Sequence, residues 1–462
     1  MGLYTTFAAN VLFPLHERLK HHDTVAVKRQ LEQTQWLKPE AIRALQLDRL
    51  RAFLTDCGQH VPYYRDLFAK LAFDPVAITS LSDLARLPIL TKDIIRREFE
   101  QLKSSQAEPM KLFSTTGSTG DPLRFFISNT RVSHDVAAKW RATRWWDVDI
   151  GDREMVIWSS PIELTKQDRV KQLRDWLLRS RLVPSATLSP ADMARFVEAI
   201  RRFKPAMLFG YPSSMTLIAQ HAEKQGVRLD DLGIKVAFCT AERMYPHQAD
   251  TLKRVFGCPV ANGYGGRDAG FIAHACPQGG YHITAEDIIV EVVDEQGLPL
   301  PAGVPGEVVV THLYSTGFPF VRYKNGDVAV LDDAQCACGR GLPLLKEVRG
   351  RTNDVLLAED GSMVHDVAIA MVLRDMPGVI AFKVIQETLH HCRLQLVRDE
   401  RFQTVSSELS IRDTFRARLG QGVKLDIEYV AAIEPEKSGK YRYVVSKVSQ
   451  HQAGHPTATI QN

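Results

Sequence analysis

Glu154-Met-Val-Ile-Trp-Ser159, Ala206-Met-Leu-Phe-Gly210, Lys235-Val-Ala-Phe-Cys-Thr240 and Pro259-Val-Ala-Asn-Gly263 are the runs whose reading decides the fold. Each is short and apolar, and helical patterns lie between them at 165–181, 190–203, 213–225 and 245–255. Strands alternating with helices predict βαβ units, and hence a parallel sheet covered on both faces. Ligands of such sheets bind beyond the carboxyl ends of the strands. Gly210-Tyr-Pro-Ser213, Thr240-Ala-Glu242 and Tyr264-Gly-Gly-Arg-Asp268 fall at those ends.

Upstream, residues 1–105 read as helical, with Glu40–Leu54 carrying apolar residues at helical spacing. Then comes Leu112-Phe-Ser-Thr-Thr-Gly-Ser-Thr-Gly-Asp-Pro122, followed by an amphipathic stretch, Arg131–Trp146. Glycines let a backbone turn its N–H groups inward, and Ser and Thr hydroxyls add donors, so this loop suits phosphate oxygens. An ordinary polar turn is the other reading. It is not a Walker A loop, because no Lys-Ser or Lys-Thr follows Gly120.

Downstream, Asp287–Val293, Glu307–Leu313 and Asp327–Leu331 predict an antiparallel subdomain, and a smaller α/β unit follows Arg351. The fold class is therefore α/β. A large multi-subdomain N-terminal domain over 1–353, with parallel sheets and a β-rich subdomain, precedes a small mobile domain over 354–448. Residues 449–462 are polar and poor in core formers, and are expected to be disordered.

Composition narrows the function classes. Among 462 residues, 45% are hydrophobic and 24% charged, and the net charge is only 58 − 54 = +4. No aromatic-studded basic stripe suggests nucleic acid as a partner. No apolar run approaches the roughly 18 residues of a membrane span. Residues 1–20 lack a signal-peptide pattern, and the seven cysteines are odd in number and scattered, so a cytoplasmic location is expected.

Four further stretches carry chemistry, each with a plainer alternative. In Tyr264-Gly-Gly-Arg-Asp268 the ring can stack on a purine and the carboxylate can hold Mg²⁺; a capped tight turn would look the same. It is not a dinucleotide fingerprint, because Asp268 stands where the third glycine belongs. Arg322-Tyr-Lys-Asn-Gly-Asp327 offers a carboxylate to both hydroxyls of a ribose, or is a hairpin. Val348-Arg-Gly-Arg-Thr-Asn-Asp354 places Arg351 to reach a sugar or phosphate, or is a charged linker. Glu436-Lys-Ser-Gly-Lys440 is a surface turn, or a lysine carried into a site by domain closure.

In this order the five stretches resemble the adenylate-forming superfamily of acyl-CoA synthetases, luciferases and peptide-synthetase adenylation domains, over about residues 60–445. Val61-Pro-Tyr-Tyr-Arg65, Leu87-Pro-Ile-Leu-Thr-Lys92, Lys204-Pro205 with Gly210-Tyr-Pro-Ser213, and Cys336-Ala-Cys-Gly-Arg340 resemble its branch of phenylacetate–CoA ligases and capsule-biosynthesis adenylating proteins.

The resemblance implies that Ser114, Thr115, Thr116, Gly117, Ser118, Thr119 and Gly120 cradle the phosphates of ATP. It implies that Tyr264 stacks on adenine, with Ala241, Glu242, Asn262 and Gly265 around that pocket. Asp327 would hold the ribose, with Arg351 beside it. Asp268 would hold Mg²⁺, Lys440 would bridge the substrate carboxylate and the α-phosphate, and Asn353–Asp354 would be the hinge. Relatives usually carry Glu where Asp268 stands, and many have a lysine in the hydroxyl-rich loop. Asp keeps the charge with one methylene less reach.

Cys276, His282, Cys336 and Cys338 form a candidate structural zinc set, with His274 as the fallback ligand. Unpaired thiols and an exposed His282 are the alternative. Trp140, Trp145 and Trp146 read as core, with a place in an acyl pocket as the other role.

The expected activity is ATP-dependent conversion of a small carboxylic acid to an acyl-adenylate. Transfer to coenzyme A would follow, or to an amine, hydroxyl or carrier thiol. The rival is a non-catalytic nucleotide-binding scaffold of polysaccharide assembly. Relatives imply a monomer or a homodimer.

Overall fold

The computed structural model describes residues 2–114, 123–158, 169–185, 190–351, 355–360, 363–365, 369, 372–373, 376–434 and 442–448. The chain forms two compact units, Met1–Arg349 and Gly350–Asn462. The expected phosphate loop from Thr115 to Gly120, the hinge Asn353–Asp354, Lys440, the Arg351 side chain and the tail 449–462 lie outside the described residues.

The first unit opens with helices α1 (Leu3–Phe7), α2 (Phe13–Leu19), α3 (Thr24–Thr34), α4 (Pro39–His60), α5 (Pro62–Leu71) and α6 (Lys92–Arg97). Pro39 and Pro62 start their helices, where a missing N–H and a fixed φ cost nothing. A hairpin of β1 (Met110–Ser114) and β2 (Arg124–Ser128) follows, then α7 (Asn129–Arg144). The Ser128 hydroxyl caps α7 by accepting from Arg131 N at 3.2 Å.

The core of the unit is one eleven-stranded sheet. Its parallel part holds β3 (Glu154–Trp158), β4 (Ser180–Pro184), β5 (Met207–Gly210), β6 (Val236–Thr240) and β7 (Val260–Gly266). Every residue of β5 and β6 is buried, as expected of parallel strands covered on both faces. The covering helices are α8 (Arg169–Leu177), α9 (Pro190–Phe203), α10 (Pro212–Lys224) and α11 (Pro246–Phe256).

From β7 the sheet continues through antiparallel neighbours β8 (Gly270–Ala275) and β9 (Tyr281–Ile283). It ends in β10 (Ile288–Val293), β11 (Pro305–His312), β12 (Tyr323–Asp332) and β13 (Leu344–Arg351), in the spatial order β9-β13-β12-β11-β10.

The expected antiparallel β-rich region is present and continues the parallel sheet, because β7 turns directly into β8. One expectation is corrected. The helix expected to run to residue 181 ends at Leu177, and Ser180–Pro184 pairs with β3 as an edge strand.

The second unit pairs β14 (Val355–Leu357) with β15 (Met363–His365). A four-stranded sheet holds β16 (Val379–Thr388), β17 (His391–Arg398), β18 (Lys424–Tyr429) and β19 (Val444–Ser446). Helix α12 (Thr404–Leu419) adds Ile411, Phe415 and Leu419 to its core. Buried Gln386 donates to the Leu357 carbonyl at 2.7 Å and accepts from its N–H at 2.9 Å, so a side chain completes backbone pairing there.

Candidate active site

Strands β3 and β5 lie side by side, while the chain leaves β3 for β4 on the other flank, so the topological switch point falls between them. At their carboxyl ends Trp158 stacks on Tyr211 with centroids 4.6 Å apart. Gly210 makes that approach possible. Its φ is +152°, and a Cβ there would lie 1.9 Å from the Ile157 carbonyl oxygen. The Ser213 N–H donates to Glu242 Oε2 at 3.2 Å, tying the start of α10 to the segment leaving β6. Burial, then Glu242, raises the Tyr211 phenol.

Thr240 pairs with Gly263, so Ala241 and Glu242 leave β6 beside Tyr264 of β7. Asn262 sits opposite Cys239, and Gly265 opposite Phe271. The Tyr264 hydroxyl donates to Asp327 Oδ2 at 2.8 Å. Asn325 Nδ2 reaches both Tyr264 Oη and Asp327 Oδ2, at 2.7 and 2.9 Å, and its Oδ1 accepts from Asp327 N at 3.0 Å. Burial, then Asp327, holds the Tyr264 phenol protonated. The result is a pre-set aromatic face next to a carboxylate, which suits a purine nucleoside.

Asp268 follows in the turn to β8. Its Oδ2 accepts from the Tyr323 hydroxyl at 2.7 Å and its Oδ1 from Ala269 N at 3.1 Å. A carboxylate has about four acceptor sites, so a fixed, partly open pair of oxygens remains for a hard cation. Arg267 Nη1 donates to the Ser114 carbonyl at 3.4 Å, which brings the entry of the hydroxyl-rich loop to this turn.

Sequence reasoning missed what holds the turn from below. Arg131, almost fully buried in α7, donates through Nη2 to the carbonyls of Arg267 and Asp268 at 3.0 and 2.8 Å. Asp135 lies 3.7 Å from its Nε and 3.6 Å from His312, and accepts from Phe271 N at 3.3 Å. Gly270, at φ +83°, passes here because a Cβ would meet His312 and Asp135 within 3 Å. His134 and Asp287 form a second buried pair at 2.8 Å. The only signal was Arg131, His134 and Asp135 at helical spacing, which reads equally as a solvated face.

The four metal-type ligands converge. One donor atom each from Cys276, His282, Cys336 and Cys338 lies within 4.8 Å of all the others. The Cys276–Cys336 sulfurs are 3.6 Å apart, and Cys338 Sγ is 3.2 Å from His282 Nε2. Ligand bonds of about 2.3 Å to sulfur and 2.0 Å to nitrogen in a tetrahedron require spacings of this size, so the set fits zinc. Gly280 leaves the space, since a Cβ there would sit 2.5 Å from Cys336 Sγ.

Arg340 stacks between Trp36 and Trp145 at 4.7 and 4.5 Å and donates to Gln35 Oε1 at 3.1 Å, fastening this knuckle to the N-terminal helices. His274, the fallback ligand, is outside the group, and burial pushes its imidazole down to about 3. The tryptophans pack: Trp140 edge-on to Phe13, Trp145 and Trp146 with hydrogen bonds to Gln35 and the Ala275 carbonyl.

Comparison with known proteins bears on the family and the fold. A family model described as AMP-binding enzyme matches residues 15–314, and one described as CapK C-terminal domain matches 356–447. The chain is 26% identical to a phenylacetate-coenzyme A ligase of Thermus thermophilus, across 84% of this chain and 86% of that protein. It is 22% identical to Protein CapK of Staphylococcus aureus, across 87% and 89%. A crystal structure of 2-hydroxyisobutyryl-CoA ligase in the postadenylation state superposes with a TM-score of 0.70 at 21% identity, covering 87% and 88%, which speaks to the fold. The chain belongs to the AMP-binding enzyme family, in the adenylate-forming branch of phenylacetate–CoA ligases and CapK-type proteins.

Proposed function

We propose that the chain is an AMP-forming acid ligase that activates a small carboxylic acid as its acyl-adenylate and passes the acyl group to coenzyme A. The Tyr264–Asn325–Asp327 hydrogen-bonded trio, with Asp268 fixed close by in sequence, carries this reading. Tyr264 offers its ring to adenine and Asp327 its carboxylate to the ribose. Those contacts orient ATP so that a substrate carboxylate oxygen attacks the α-phosphorus and pyrophosphate leaves. Asp268 would hold Mg²⁺, which neutralises phosphate charge when bound. The Trp158–Tyr211 stack at the switch point supports an acyl pocket there. Lys440 takes its role, a cation where negative charge develops, from the family resemblance.

Zinc on Cys276, His282, Cys336 and Cys338 would be structural, because four protein ligands leave no open position. The alternative acceptor is an amine, hydroxyl or carrier thiol, in a chain whose second unit matches the CapK C-terminal domain.

Pyrophosphate release from Mg·ATP, with a panel of aryl, short-chain, hydroxy and amino acids, tests the reading. Multiple turnovers that need both an acid and coenzyme A support the ligase. A single-turnover burst unchanged by coenzyme A keeps adenylation and rejects that acceptor.

A further inference from the structure

The N-terminal helical run exposes Leu3, Phe7, Val11, Leu15 and Leu19 at 94, 48, 49, 56 and 75% of their surfaces. These five are spaced four apart. Four residues of α-helix overshoot a full turn by about 40°, so such a series would normally wind around the helix. Here Ala8–Leu12, between α1 and α2, form a π-helical turn, whose wider i→i+5 winding corrects in the opposite sense. The correction keeps the apolar side chains along one side.

The opposite side is anchored. Thr5 Oγ1 donates to Asp152 at 2.8 Å, and Phe13 meets Trp140 edge-on at 6.5 Å. An apolar outer face on a helix already packed by its inner face needs another explanation than the core.

A second helix joins that face. The Tyr4 hydroxyl donates to the Leu177 carbonyl at 2.7 Å, and Arg179 lies 3.9 Å over the Tyr4 ring. On α8, Leu173 and Trp176 are 58 and 73% exposed. Positive charge accompanies them: residues 171–181 hold Lys171, Arg174, Arg179 and Arg181 against Asp175 alone. Arg153, Arg179 and Arg181 line a hollow of about 760 Å³ that also includes Trp176 and Asp175.

We propose that this face docks on an anionic lipid surface. Its apolar side chains would enter the boundary between headgroups and acyl chains, and its arginines would meet lipid phosphates. A second copy of the chain fits less well. Seven apolar side chains on two helices fall short of the roughly 20–30 residues per side of a standard protein interface, whereas a bilayer needs no complementary shape. Among the described residues no helix is long and apolar enough to cross a membrane, so the contact is with the surface.

Flotation of the purified full chain with phosphatidylcholine vesicles, with and without phosphatidylglycerol, tests this independently of acid activation. The chain should float with the anionic vesicles and be released by salt. Val11→Glu with Leu15→Glu should lower the partition constant about tenfold or more, with the thermal melt and pyrophosphate release unchanged. Leu3→Glu with Phe7→Glu repeats the test if the first pair disturbs the fold. Failure to float with anionic vesicles, or equal flotation of a folded variant, overturns the proposal. So does a dimer of the parent that the substitutions split, because a second copy would then cover the face.

Discussion

The Tyr264 hydroxyl donates to Asp327 Oδ2 at 2.8 Å, joining the ring proposed for adenine to the carboxylate proposed for the ribose. Sixty-three residues separate them, and β7 and β12 bring them together. Losing that bond in Tyr264→Phe keeps the ring and leaves Asn325 to hold the carboxylate. The expected effect is ATP binding weakened about three- to tenfold, the worth of one ordinary hydrogen bond. Asp327→Ala removes the ribose acceptor and should cost about a hundredfold or more. Calorimetric titration with ATP reads both, and equal affinity in Asp327→Ala would remove this residue from the site.

Asp268 and Arg131 make separable predictions. Asp268→Asn keeps the shape but not the charge, so the Mg²⁺ concentration for half-maximal pyrophosphate release should rise about tenfold. Arg131→Met strips the turn of its support and leaves the half-buried Asp135 without its cation. Its denaturant midpoint should fall, by less than the about 3–5 kcal/mol that breaking a fully buried pair costs. A normal midpoint in Arg131→Met would show that the turn holds itself.

The cluster beneath the turn predicts sensitivity to acid. Burial opposes ionisation of Asp135 and Asp287, yet His312 and Arg131 at the first, and His134 at the second, outweigh it and hold both carboxyls below their ordinary range. Their stabilisation is present above the unfolded carboxyl value of about 3.9 and is lost as pH falls through the lower folded values. Burial, then Arg131, lowers His312. From about pH 6.5 downward the unfolded chain therefore takes up a proton that the fold refuses. Denaturant midpoints should decline below pH 6.5 and steeply below pH 4, with His312→Gln flattening the upper part. A midpoint that holds constant from pH 7 to 4 would contradict this.

Zinc makes a compositional prediction. Metal analysis of the purified chain should find about one zinc per chain, lost in Cys336→Ser and on strong chelation, with a thermal midpoint lower by several degrees. Metal-free protein with the same midpoint would leave the four residues as packed thiols and an imidazole.

Much of the scaffold was legible because buried parallel strands are written as short apolar runs. β5, β6 and β7 fall within one to three residues of the expected bounds. The site's loops were legible by position, since they follow those strands. β4 was not, because Ser180-Arg-Leu-Val-Pro184 is a short edge strand whose first residues continue a helical pattern. The supports of α7 were also hidden. Charged residues at helical spacing ordinarily mark a solvated face, yet Arg131 and Arg141 are buried by pairing with carbonyls, Asp135 and Glu286. Pairing across 136 or 145 residues leaves no local trace.

Adenylation is the central claim, and acid-dependent exchange of pyrophosphate into ATP tests it most directly, because it reads the first half-reaction without any acceptor. Exchange that appears only with an added carboxylic acid, and is lost in Lys440→Ala while ATP still binds, is the predicted result. ATP binding with no exchange across the acid panel would contradict it and return the chain to a nucleotide-binding scaffold.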